Sequence, residues 1–182
     1  NPTILRPHNY SSSLQGIGAA FLEKNGVKLL IVNIQGQVFM REEVSSPFLC
    51  IDGVLKKYAQ KKPDIIFVDF HAEATSEKVA MFHHLNGRVG ALVGTHTHVA
   101  TADKKVSAQG TAYITDVGMN GAIDSVISHK IDQILERFLK GVNTKHEVSD
   151  TGPCLVNAVF VQLDAKTGKA LEIEQIIEEV EI

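Results

Sequence analysis

Three short apolar runs, separated by stretches of helical periodicity, constrain this chain more than any other feature. They are Val27-Lys28-Leu29-Leu30-Ile31-Val32, Asp64-Ile65-Ile66-Phe67-Val68-Asp69-Phe70 and Val89-Gly90-Ala91-Leu92-Val93-Gly94. Runs of this length, bounded by turn residues, are strands, and a continuous one such as Val27 to Val32 is expected to be buried on both faces. Strands that alternate with helices stack in parallel through right-handed crossovers, so the core is an α/β sheet.

The remaining elements fit around that core. Ile17 to Leu22 joins Val27 to Ile34 through Glu23-Lys24-Asn25-Gly26, where Asn-Gly supplies the positive φ of a hairpin turn. Ser46-Pro47 opens a helix with an apolar stripe at Phe48, Ile51, Leu55 and Tyr58, and Pro63 closes it. A second helix runs from about Ser76 to Leu85, ended by Asn86-Gly87. A strand over Thr111 to Thr115 follows, and Ile127, Ile131, Ile134, Leu135 and Phe138 mark a helix ending before Gly141. Cys154 to Leu163 and Ala170 to Ile177 read as a final hairpin. No linker demands a second domain, so residues 1–182 are read as one.

Composition excludes several functions. With 18 Lys+Arg against 21 Asp+Glu, the net charge of -3 gives no basic field for gripping a nucleic-acid groove. The apolar runs are too short to span a bilayer, so no membrane contact is expected. Cys50 and Cys154 match no disulfide framework or thiolate metal spacing, which suits two reduced thiols in a cytoplasmic protein. The phosphate-binding loop G-x-x-x-x-G-K-[ST] and the nucleophile elbow G-x-S-x-G are both absent.

The histidines carry the chemistry. His71 follows the strand ending Val68-Asp69-Phe70, and His96 and His98 follow the one ending Val93-Gly94, at the carboxyl ends where parallel sheets gather functional groups. In extended backbone, residues i and i+2 point the same way with Cα atoms roughly 6 to 7 Å apart, so His96 and His98 can face one cluster of metal ions. If the two strands are neighbours, His71 reaches the same place. Glu73 and Asp116 are the carboxylates suited to receive a ligand's other ring N–H, although each also fits an ordinary cap or turn role. His8, His83, His84, His129 and His146 read as solvated or structural.

Three strings carry a resemblance. Asp69-Phe70-His71-Ala72-Glu73-Ala74-Thr75-Ser76-Glu77-Lys78, Gly94-Thr95-His96-Thr97-His98-Val99 with Thr101-Ala102-Asp103, and Gly110-Thr111-Ala112-Tyr113-Ile114-Thr115-Asp116-Val117-Gly118-Met119 resemble the calcineurin-like metallophosphoesterases. Within them, the chain is similar to the YmdB-like 2′,3′-cyclic-nucleotide 2′-phosphodiesterases. The resemblance implies a sandwich of two sheets flanked by helices and a centre of two metal ions, commonly iron or manganese, with zinc also suited to imidazole. His71 and His96 would ligate one ion and His98 the other. The pair of ions, about 3.5 to 4 Å apart, would hold a bridging hydroxide for attack on a small phosphodiester such as a cyclic nucleotide.

Proteins of this kind also carry a Gly-Asp, an Asn-Glu-Asn and a Gly-Asn-His upstream, and none of these occurs here. The chain therefore looks like the carboxyl-terminal portion of such an enzyme, without its amino-terminal strands. A companion segment or chain would supply the missing ligands, and the isolated chain would bind metal weakly. Homo-oligomer formation is left open. Two other readings stand beside this one: a mononuclear zinc hydrolase of amidohydrolase type built on His-x-His, and a non-catalytic α/β interaction module.

Overall fold

A computed structural model describes residues 4–150 and 152–181; the opening Asn1-Pro2-Thr3 lies outside them. Strands β1 (Ala19–Lys24) and β2 (Val27–Gln35) form the anticipated hairpin, with Asn25 and Gly26 at φ 53° and 76° in the turn. Helix α1 (Pro47–Tyr58) starts at the Ser46 cap, whose side chain accepts from the Leu49 N–H. It runs out earlier than Pro63, in one 3-10 turn over Ala59–Lys61 with Lys62 at φ 50°. Strand β3 (Ile65–His71), helix α2 (Thr75–Leu85) and strand β4 (Ala91–Thr95) follow as expected.

A two-residue strand β5 (Lys105–Val106) precedes β6 (Ala112–Ile114). Next come β7 (Gly121–Ala122), α3 (Ile131–Lys140), β8 (Cys154–Leu163) and β9 (Ala170–Val180). One sheet has the order β1-β2-β3-β4-β6-β5, with β2, β3, β4 and β6 parallel, and the other the order β7-β8-β9. The chain is thus α/β, with two sheets and flanking helices.

Strand alternation divides the core in two. Leu30, Val32, Ile34, Val68 and Phe70 are buried in one cluster with Ile51 and Val54 of α1 and Met81, Phe82 and Leu85 of α2. Ala91, Val93, Ala112 and Ile114 form the other, against Ala170 and Ile173 of the second sheet. The expectation that β2 is buried on both faces is corrected here. Leu30, Val32 and Ile34 are fully buried, whereas Leu29 and Ile31 are only half-buried. The physical reason is that β8 and β9 cover the β4 and β6 end of the first sheet. Leu29, Ile31, Ile65 and Phe67 are left lining an apolar groove of about 480 Å³ with Val161 and Leu163.

The helix before Gly141 also differs from its sequence pattern. Ile127 lies outside α3 at φ 44°, and of the apolar stripe only Ile134 is buried, while Leu135 and Phe138 are exposed. Gly141 closes the helix at φ 67°, its N–H donating to the Arg137 carbonyl.

One glycine sets the approach of two strand ends. A Cβ at Gly94 would overlap the Thr115 carbonyl just beyond β6 and press on the Lys78 side chain at 3.1 Å. Because the obstacle is backbone, Gly94→Ala is expected to cost about 2–3 kcal/mol. The check is a lower urea midpoint at unchanged slope; an unaltered midpoint would contradict this packing.

Candidate functional site

The parallel register of β3 and β4 sets His71 opposite Thr95 and Asp69 opposite Val93, while β2 sets Asn33 opposite Asp69. Period-2 alternation puts Asp69 and His71 on the same face of β3. Asn33 Nδ2 donates to Asp69 Oδ2 at 2.6 Å, and Thr95 Oγ1 donates to Asp69 Oδ1 at 3.1 Å. His71 Nδ1 lies 3.1 Å from Thr95 Oγ1, and His71 Nε2 lies 3.0 Å from His96 Nδ1, with the two rings nearly perpendicular at 83°. His96 Nε2 is 2.9 Å from Glu73 Oε2. Burial, then the neighbouring His96, hold His71 below its ordinary pKa. Burial raises Asp69 against the bonds from Thr95 and Asn33.

His98 departs from this group. The backbone leaves the extended region at both residues of the His-x-His segment, with φ 128° at His96 and 66° at His98. The two side chains are therefore not aligned as i and i+2 of a strand would be, and His98 instead sets Nδ1 3.2 Å from the Ile127 carbonyl. Positive φ at residues other than glycine costs of order 1–3 kcal/mol each and persists only where the surroundings enforce it.

The enforcement comes from Asp116. Its Oδ2 accepts the Thr97 N–H at 2.9 Å and the Lys78 ammonium at 2.8 Å, and its Oδ1 accepts the Gly118 N–H at 2.9 Å. Both members of the Lys78–Asp116 pair have side chains only 1% exposed. Asp116 thus grips the backbone between the two histidines and touches neither ring. Glu73 is the carboxylate that meets a ring nitrogen.

A concavity of about 490 Å³ opens in front of His96 and His98, with Glu73 and His129 on its wall. Phe39 and Arg41 close one side, on a loop that Glu77 pins by accepting the N–H groups of Gln37 and Val38. His83 stays on α2 away from this group, and His84 pairs with Asp52 at 3.0 Å. Sequence reasoning missed Thr95, Asn33, Lys78 and Glu77 as parts of the site. Strand parity places Asp69 on the same face as His71, a signal open to the sequence, but only the register between strands brings Thr95 to His71.

Glu73 Oε2 approaches His96 Nε2 at 2.9 Å as a charge contact outside hydrogen-bond alignment, so it does not assign the His96 tautomer. His96 Nδ1 and His71 Nε2, 3.0 Å apart, share either one proton in an N–H···N bond or, with both nitrogens bare, one cation. Two nitrogens each about 2.0–2.1 Å from one ion lie ~3 Å apart when they subtend a right angle. His71 and His96 therefore fit a divalent ion. Among the described residues, no group of three His, Cys, Asp or Glu side chains converges on one ion.

The pattern describing the YmdB-like protein family matches residues 1–176. The chain belongs to this family. It is 40% identical over 176 residues to the 2′,3′-cyclic-nucleotide 2′-phosphodiesterase of Bacillus subtilis (strain 168), a match covering 97% of this chain and 66% of that protein. The chain thus spans slightly under two thirds of that relative's length. Two crystal structures share its fold. One is a phosphatase from Mycoplasma pneumoniae, with TM-score 0.86 and 36% identity over 98% of this chain and 64% of that one. The other is a protein of Thermus thermophilus described as hypothetical, with TM-score 0.88 and 37% identity over 96% of this chain and 67% of that one.

Proposed function

We propose that this chain is the metal-binding part of a phosphodiesterase acting on small phosphodiesters, 2′,3′-cyclic nucleotides foremost, with His71, His96 and His98 as metal ligands. The observation that carries the reading is the His71 Nε2–His96 Nδ1 pair at 3.0 Å, backed by Glu73 and opening on a concavity large enough for a small ligand. The name of the Bacillus relative supports the substrate class.

On this reading, His71 and His96 hold one ion and His98 belongs to a second, iron or manganese in preference to zinc. Bound there, such ions supply Lewis acidity, acidifying water and neutralising charge on the phosphate oxygens. Glu73 sets a carboxylate beside His96 Nε2, and Asp116 fixes the backbone on which His96 and His98 sit. Water adds to phosphorus, the P–O2′ bond breaks, O2′ leaves as a hydroxyl and a nucleoside 3′-phosphate remains.

Residues 1–182 act as a single domain, completed by ligands from outside them. Cys50 and Cys154 are both free thiols, in keeping with a cytoplasmic location, and no helix among the described residues is long and apolar enough to cross a membrane. The mononuclear His-x-His alternative needs both rings on one ion, whereas among the described residues His96 Nδ1 meets His71 and His98 Nδ1 meets the Ile127 carbonyl.

The test is hydrolysis of 2′,3′-cyclic AMP by the whole protein with manganese supplied, followed by phosphorus NMR. The expected product is the 3′-monophosphate, and His98→Ala is expected to lower kcat/KM about a thousandfold, ~4 kcal/mol, without moving the unfolding midpoint. Inertness of the unaltered protein toward both this substrate and bis(p-nitrophenyl) phosphate would sink the proposal.

A further inference from the structure

A threonine inside the sheet controls which nitrogen His71 presents. We propose that Thr95, backed by Asp69, is a positioning residue that locks His71 as its Nδ1–H tautomer, so that the Nε2 lone pair faces His96 and any ion held between them. The inference rests on the reading of His71 as a ligand.

The direction of each hydrogen bond follows from the donors available. Asn33 turns its amide nitrogen toward Asp69 Oδ2 at 2.6 Å; its oxygen there would repel a carboxylate. Asp69 therefore accepts on that side, and its other oxygen accepts the Thr95 hydroxyl at 3.1 Å. A hydroxyl has one hydrogen, and Thr95 has given it away. Toward His71 Nδ1, 3.1 Å distant, Thr95 can only accept, so the ring proton sits on Nδ1 and Nε2 is bare. Free histidine in water favours the opposite, Nε2–H form. Without the relay, His71 would aim an N–H at His96 Nδ1 and offer no lone pair to an ion.

Nothing in the strand itself calls for a hydroxyl. The other members of β4 are Ala91, Leu92, Val93 and Gly94, and a valine at position 95 would suit β geometry equally well. What a valine lacks is the acceptor.

The experiment labels histidine nitrogens in the metal-free chain and reads tautomers from two-bond proton–nitrogen spectra at mildly alkaline pH. The unaltered chain and Thr95→Ser are expected to show His71 as Nδ1–H. Thr95→Val is expected to shift it to Nε2–H and to weaken zinc binding, measured by calorimetry, about 10- to 100-fold. Thr95→Ser is expected to keep zinc affinity close to that of the unaltered chain. A His71 that is Nε2–H in the unaltered chain overturns the proposal, and that spectrum decides even if Thr95→Val fails to fold. So does a folded Thr95→Val chain that retains Nδ1–H. If the tautomers come out as expected but the unaltered chain takes up no zinc, the relay stands, and the reading that fails is His71 as a metal ligand.

Discussion

Replacing Lys78 with methionine is expected to destabilise the fold by about 3–5 kcal/mol, the scale for stripping one partner from a buried ion pair. The Lys78 ammonium lies 2.8 Å from Asp116 Oδ2, with both side chains 1% exposed. Removing it leaves a carboxylate that water does not reach. The N–H groups of Thr97 and Gly118 still point at that carboxylate, so the lower end of the range is expected.

The pH dependence of this loss has a definite sign. Burial alone would raise the Asp116 pKa, but the hydrogen bond from Lys78 and those from Thr97 and Gly118 outweigh it and hold the group below the ordinary carboxylate value. Its contribution is therefore complete above that value, about 3.9, and is lost only as pH falls through the lower folded one. In Lys78→Met the ammonium no longer opposes burial and the folded pKa rises. The deficit against the unaltered protein should then be largest near neutrality and narrow on acidification. Urea unfolding at several pH values measures it; equal midpoints at neutral pH would contradict the account. Thr97 would also lose part of its anchor, loosening the segment that carries His96 and His98.

The second large effect concerns the imidazole pair. A structural zinc held by four ligands is bound with about 10–16 kcal/mol, so each ligand accounts for ~3 kcal/mol, or roughly a hundredfold in affinity. His71→Ala and His96→Ala are each expected to weaken divalent-metal binding by that factor or more, because each leaves a single nitrogen where two met at 3.0 Å. His84→Ala, on α2 in a pair with Asp52, is expected to change nothing. Calorimetric titration with zinc separates these outcomes. Equal losses in all three variants would mean that binding is spread over surface histidines.

Much of this arrangement is written in local patterns. Alternation of apolar strands with helices dictates parallel pairing, and parallel pairing puts His71 and the Gly94–Val99 segment at one end of the sheet. The Asn25-Gly26 turn and the Ser46-Pro47 cap are readable because their backbone conformations admit few other residues. Register is a different matter. That Thr95 meets His71, and Asn33 meets Asp69, depends on how far neighbouring strands slide, which no single strand encodes.

The orientation of His98 was illegible for a related reason. Its φ of 66° is imposed from outside by Asp116 and Lys78, and Lys78 reads in sequence as one more helix-surface lysine. The half-buried face of β2 belongs in the same class. Leu29 and Ile31 have the composition of a two-sided core strand, and only the reach of the second sheet decides how much of them is covered.

The central claim, that His71 and His96 together hold a divalent ion, is tested most directly by adding substoichiometric manganese to the histidine-labelled chain. Paramagnetic broadening falls off steeply with distance, so the ring signals of His71 and His96 should vanish first, while those of His83, His84 and His146 persist. Uniform broadening of all the histidines, or earlier loss at His83 or His84, would contradict the claim.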